Sequence, residues 1–123
     1  MPTSSQRKGS EYERELATFF NEHLSITTCS RAPLSGGGFI GGYTWGSDLL
    51  GLPHLHIEAK RTERLNVREA LLQAEKALAK TKAPEIPVVV TRRNRESLDN
   101  SIVALRLRDF TKLYAAYLAH HSL

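Results

Sequence analysis

The sequence predicts an α/β fold: one mixed β-sheet flanked by helices, in a single domain spanning residues 1–123. Three observations lead there. The chain has 123 residues, enough for one core. Hydrophobic residues make up 41% and charged residues 24%, which fits a globular domain and argues against bulk disorder. Stretches of helical periodicity alternate with short β-branched runs in the order α-β-β-β-α-β-β-α. No internal repeat or linker interrupts that order.

Residues 1–9 are polar, and flexibility is expected there. Ser10 then offers an N-cap, with Glu13 three residues on to complete a capping box. Tyr12, Leu16, Phe19 and Phe20 recur at helical spacing, and the helix is expected to fade near Asn21 to His23. Ser25 to Ser30 is short and β-branched, a strand signal. A Gly-rich stretch follows over residues 32–46, APLSGGGFIGGYTWG. Ser47 to Leu50 and His54 to Lys60 read as two strands of a hairpin, joined by the turn residues Gly51, Leu52 and Pro53.

Asn66 can cap a second helix, again with a Glu at the third position, Glu69. Val67, Ala70, Leu71, Ala74 and Leu78 form its apolar stripe. Ile86 to Thr91, IPVVVT, reads as a strand buried on both faces. Arg92 to Asn100 is a charged connection, and Ser101 to Leu107 a further strand towards the sheet edge. A last helix is expected from Arg108 to His120, with Phe110, Leu113, Tyr114, Tyr117 and Leu118 on one side.

The chemistry lies between Gly46 and Lys60, GSDLLGLPHLHIEAK. Side chains alternate along a strand, so His54, His56, Glu58 and Lys60 share one face. Leu55, Ile57 and Ala59 share the other, the core face. With the turn centred on Pro53, Asp48 and Glu58 become cross-strand neighbours. Like charges facing each other are destabilising unless a cation lies between them. Mg²⁺ is hard and prefers oxygen ligands, so it suits paired carboxylates, with Mn²⁺ a possible substitute. Lys60 beside them can stabilise charge on a phosphate. Any one of these charges alone reads as solvated surface; their combination reads as metal-assisted phosphodiester hydrolysis. A zinc site on His54 and His56 lacks a third ligand.

Composition agrees. The formal net charge is +4, which favours polyanionic partners. The single cysteine, Cys29, excludes an intrachain disulfide and a Cys-rich zinc site, and reads as a partly buried strand thiol. No apolar run reaches the ~20 residues of a membrane span, so no membrane partner is expected. The start, MPTSSQRKGS, lacks the apolar core of a signal peptide, so the expected location is cytoplasmic.

The Asp-then-E-x-K arrangement on a hairpin resembles the PD-(D/E)XK nuclease superfamily, with Ser47 in place of the motif's proline. Lys8 to Leu16, KGSEYEREL, is similar to the N-terminal signature of archaeal Holliday-junction resolvases and related phage nucleases. The resemblance implies a restriction-endonuclease-like fold. It implies catalytic roles for Asp48, Glu58, Lys60 and Glu13, and metal ligation by Asp48, Glu58, Glu13 and the carbonyl of Ala59. Glu11 and Glu15 stand as alternatives to Glu13, which is equally accounted for by helix capping. The resemblance also points to a bacterial, archaeal or phage-infected host cell. The Gly-rich stretch is longer than in archaeal resolvases and closer to the phage relatives.

For DNA contact, Arg7 and Lys8 precede the first helix, Arg31 opens the Gly-rich stretch, and Arg61 and Arg64 follow the motif. Tyr43 and Trp45 can stack on an unpaired base. Arg92, Arg93 and Arg95 form a second basic cluster. The stretch lacks the G-K-[ST] ending of a nucleotide-binding P-loop. The leading reading is an Mg²⁺-dependent endonuclease acting on branched DNA such as a four-way junction. It would work as a homodimer, with the last helix either as interface or packed into the core. The alternatives are a nuclease for nicked, flapped or plain duplex DNA, and a non-catalytic nucleic-acid-binding module on the same fold.

Overall fold

Strand Ile86–Arg92, apolar from Ile86 to Val90, is the central strand of the three-stranded sheet. The structure is a computed structural model that describes residues 3–33, 46–81 and 84–121. In chain order the elements are α1 (Ser4–Leu24), β1 (Ser30–Arg31), β2 (Leu49–Leu50), β3 (Leu55–Arg61), α2 (Val67–Thr81), β4 (Ile86–Arg92), a 3-10 turn (Leu98–Asn100), β5 (Ile102–Ala104) and α3 (Leu107–His121). The fold is mixed α/β in the expected order α-β-β-β-α-β-β-α.

β3 and β4 run parallel, from Leu55 opposite Ile86 to Arg61 opposite Arg92. Parallel neighbours need a long crossover, and α2 supplies it. β5 pairs antiparallel with the other side of β4. β1 and β2 form a separate antiparallel pair, which joins β3 through the Asp48 N–H donating to the Ile57 carbonyl at 2.7 Å. One face of β4, Val88 and Val90, packs with Ile57, Leu49 and the α1 residues Tyr12, Leu16 and Ala17. Its other face, Val89, packs under Ala70 and Leu71 of α2. A strand covered on both sides must be apolar without alternation, which is why IPVVV is continuous.

Several expected boundaries move. The first helix starts at Ser4, so residues 4–9 are helical rather than flexible. Its cap is Thr3, whose hydroxyl accepts from Gln6 N while the Gln6 side chain accepts from Thr3 N, a complete capping box. Ser10 therefore lies inside the helix. The helix also runs on to Leu24, closed by Ser25 in a left-handed conformation with φ 54°.

The strand expected at Ser25 to Ser30 shrinks to Ser30–Arg31, because the Asn21 amide holds both the N–H and the carbonyl of Cys29 at 2.9 Å. The strand expected at Ser101 to Leu107 shrinks to three residues, and α3 begins at Leu107. Asn66 does cap α2, accepting from Glu69 N at 3.1 Å. Cys29 is buried, and burial raises its thiol pKa, consistent with a packing role.

Two glycines have opposite sequence constraints. Gly51, at the β2–β3 turn, has φ +83°, and a Cβ there would lie 1.8 Å from the Thr28 carbonyl oxygen. Gly9 sits within α1 with nothing within 4 Å of an added Cβ. Gly51→Ala is expected to cost more than about 2 kcal/mol, from a left-handed backbone plus a backbone clash. Gly9→Ala is expected to gain about 0.5–1 kcal/mol from helix propensity. Urea denaturation of the two variants checks both signs; a neutral Gly51→Ala would contradict the close approach to Thr28.

Candidate active site

The site is built on one edge of β3. Alternate residues of an extended strand present their N–H and C=O groups to opposite neighbours. His54 and Lys60 bond towards β4: the His54 carbonyl accepts from Ile86 N, and the Lys60 carbonyl from the Thr91 hydroxyl. Ile57 and Ala59 face the other way. There Ser47 and Asp48 finish the edge with side chains. Ile57 N donates to Ser47 Oγ at 3.1 Å, and that hydroxyl donates to the Leu49 carbonyl at 2.7 Å. Ala59 N donates to Asp48 Oδ2 at 2.7 Å. The carbonyl of Ala59 faces the same edge as its N–H.

This register agrees with a turn about Pro53: Asp48 meets β3 between Ile57 and Ala59, opposite Glu58. Regular ladder pairing between β2 and β3 is replaced there by those side-chain bonds.

The electrostatics follow from burial. The Asp48 carboxyl is pushed up to about 7, first by desolvation and then by the charge of Glu58, with Glu13 adding to it. The Ala59 N–H and Lys60 oppose the rise. The four side chains selected from sequence, Asp48, Glu58, Lys60 and Glu13, thus share one electrostatic neighbourhood. Lys60 Nζ lies 3.2 Å from Glu58 Oε1. Glu13 is raised by burial, against the Arg31 guanidinium, whose Nε donates to Glu13 Oε1 at 2.9 Å. The same guanidinium donates to Ser10 Oγ at 2.9 Å, which gives Ser10 a role other than capping.

Among the carboxylates of α1 the geometry selects Glu13. Glu11 lies 3.8 Å from Arg61, and Glu15 lies 3.5 Å from Arg92. Among the described residues no three His, Cys, Asp or Glu side chains are arranged as a metal-binding group. Glu13 and Glu58 are instead each turned towards a cation.

The expected DNA contacts divide. Arg7 and Lys8 are exposed on α1, and Arg7 lines a cleft of about 570 Å³ with Ser10, Glu13 and Arg14. Arg31 faces the site. Arg64 is exposed. Arg61 is half-buried between Asn94 and Glu11, so its guanidinium is engaged within the protein. Tyr43 and Trp45 lie outside the described residues. In the second basic cluster, Arg92 is not a surface charge. It is buried, sits 5.3 Å from the centroid of the Tyr12 ring, and donates to the Glu96 carbonyl at 3.0 Å.

Two participants were not read as such from sequence. Ser47 reads from sequence as a strand residue in the place of the motif's proline, yet its hydroxyl also caps the strand edge. His56 was placed on a face away from the core, but α2 covers that face. The ring is 0% exposed, and among the described residues neither nitrogen has a hydrogen-bond partner. Burial lowers its pKa to about 4, so it is neutral at pH 7.

No family model, no curated protein and no solved structure matches this chain.

Asp48 and His56 act oppositely on stability. Asp48 rises from 3.8 to about 7, so the folded state keeps a proton that the unfolded chain releases. Stability from this group is lost as pH rises from about 4 to about 7. His56 falls from 6.5 to about 4, so its contribution is lost as pH falls from 6.5 to about 4. The wild-type profile is therefore blunted, and a difference isolates Asp48. In chelator-treated protein, the Tm of Asp48→Asn minus that of wild type is expected to grow from pH 4.5 to pH 7.5. A difference that stays constant over that range would show that Asp48 titrates normally.

Proposed function

We propose that this chain is a metal-dependent DNA endonuclease of the PD-(D/E)XK type, acting on branched DNA. The observation that carries the reading is the half-buried Asp48 carboxyl, bonded to Ala59 N–H in the field of Glu58 and Glu13 with Lys60 alongside. A fold does not bury an acid among other acids without a compensating gain, and groups with strongly shifted pKa values gather at functional sites.

The donor set fits Mg²⁺. The groups are hard oxygens, and Asp48, raised first by desolvation and then by the charge of Glu58, would be held ionised by a divalent cation. Asp48, Glu58 and the Ala59 carbonyl would hold it, with Glu13 adding negative field from α1. When bound, Mg²⁺ would supply Lewis acidity and a water of lowered pKa. Lys60 would stabilise the charge that builds on the scissile phosphate as water adds and one P–O ester bond breaks. Arg7, Arg14 and Arg31, around the cleft beside Glu13, would hold the DNA backbone.

A branched substrate and a homodimer belong to the same reading, since paired cuts across a two-fold junction need two sites. No helix among the described residues is long and apolar enough to cross a membrane.

A gel assay tests this. Labelled four-way junction, flap, duplex and single-stranded DNA are offered to wild type and to Glu58→Ala, with and without Mg²⁺. Symmetric junction cuts are expected that need Mg²⁺ and fall by at least about 100-fold in Glu58→Ala. Metal-dependent cutting without junction preference would keep the nuclease and remove the branched substrate. Tight DNA binding with no cutting in Mg²⁺ or Mn²⁺ would mean a non-catalytic binding module.

A further inference from the structure

Among the described residues, the fold explains Gly46 and Gly51 but not Gly9. Gly46 and Gly51 have φ of +81° and +83°, and a Cβ would meet Ala77 at 3.4 Å in the first case and Thr28 at 1.8 Å in the second. Gly9 has neither reason. It lies inside α1, its φ is not in the left-handed region, and among the described residues nothing stands within 4 Å of an added Cβ. A glycine inside a helix is destabilising relative to alanine. Neither backbone geometry nor packing offsets that cost here, so the reason for the missing side chain lies outside the fold.

The surroundings of Gly9 say what lies outside. It lines the cleft of about 570 Å³ on α1 together with Arg7, Ser10, Glu11, Glu13 and Arg14. The two acids of the cleft are committed within the protein, Glu13 to Arg31 at 2.9 Å and Glu11 to Arg61 at 3.8 Å. The two arginines are not. Among the described residues neither Arg7 nor Arg14 makes an ion pair. The cleft therefore presents unpaired positive charge and suits an anion. Arg7 and Arg14 are separated by roughly 10 Å along the helix, at 1.5 Å per residue. That separation fits phosphates along one strand better than a single small anion.

Gly9 lies between the two arginines along the axis, and Glu13 follows one turn later on the same face. Ser10 and Glu13 are both drawn towards the Arg31 guanidinium, at 2.9 Å each, which keeps them from closing over Gly9. The helix backbone at this point is bare.

We propose that Gly9 is a substrate-contact position: a DNA strand bridging Arg7 and Arg14 passes against the α1 backbone at Gly9, and the missing side chain sets how closely it approaches Glu13. Glycine is the residue that lets a ligand come this near to a backbone. The inference rests on the nuclease reading and adds to it a steric determinant of strand placement on α1, separate from the charges.

The test compares wild type, Gly9→Ala and Gly9→Gln. Affinity for labelled four-way junction and duplex DNA is measured by anisotropy in Ca²⁺, and the Tm of each protein is taken alongside. The dissociation constant is expected to rise from wild type to Gly9→Ala to Gly9→Gln, by more than about tenfold for the last. Both variants are expected to melt at or above wild type, since both residues favour helix over glycine. Weaker binding in a protein that is no less stable cannot come from damage to the fold. Arg7→Gln, in the same assay over a salt series, is expected to lower the slope of log Kd on log salt by about one. Unchanged affinity in both Gly9 variants would overturn the inference and leave the nuclease reading standing. Weaker binding with a lower Tm would assign Gly9 to folding and overturn it as well. An unchanged salt slope in Arg7→Gln would move the strand off this cleft, with the same result. A wild type that neither binds nor cuts DNA would remove this inference and the nuclease reading together.

Discussion

Everything around the site depends on how the outer edge of β3 is finished. A strand edge must place its N–H and C=O groups somewhere. Here two consecutive side chains, Ser47 and Asp48, take the amides of Ile57 and Ala59 where a neighbouring strand would otherwise take them. That substitution does two things at once. It ends the sheet on this side without a full ladder, and it pins a carboxylate against the backbone midway between Glu58 and Lys60. The pinning is strong because a buried acceptor that lost its amide would be left unsatisfied. Asp48 is thus held among other acids by the bond that the strand requires.

The rest of the domain supports this edge from behind. β4 is apolar on both faces, with α1 on one and α2 on the other. The α1 side brings Glu13 towards Asp48 and commits it to Arg31. The α2 side covers His56, the neighbour of Glu58 on the same face. A buried neutral imidazole with no partner among the described residues has a cost, and it lies two residues along the strand from Glu58.

The fold class and the pairing of Asp48 with Glu58 were legible because both rest on short-range rules: strand alternation and a turn about Pro53. Ile86 to Thr91 was legible because a strand covered on both faces has a distinctive composition. The α1 start was not. Ser10 with Glu13 and Thr3 with Gln6 both satisfy a capping pattern, and only the second is used, since nothing between Ser4 and Gly9 stops the helix. Glu13 was legible as a candidate only by resemblance; its separation from Glu11 and Glu15 needed tertiary ion pairs that no local pattern encodes. Arg92 read as surface because charges usually are, and its place over the Tyr12 ring depends on how α1 crosses the sheet. The apolar side of α3 was legible as a stripe, but periodicity does not say whether a stripe faces inwards or outwards.

The parallel pairing of β3 with β4 has a consequence for the order of assembly. Leu55 finds Ile86 only after α2 has been made and folded back, so this contact is far more distant in sequence than any hairpin contact. Glu58 and Lys60 are therefore expected to gain a fixed position only when β4 pairs with β3. During synthesis the emerging chain carries the motif without an organised site, and the site appears only when the core beneath it closes.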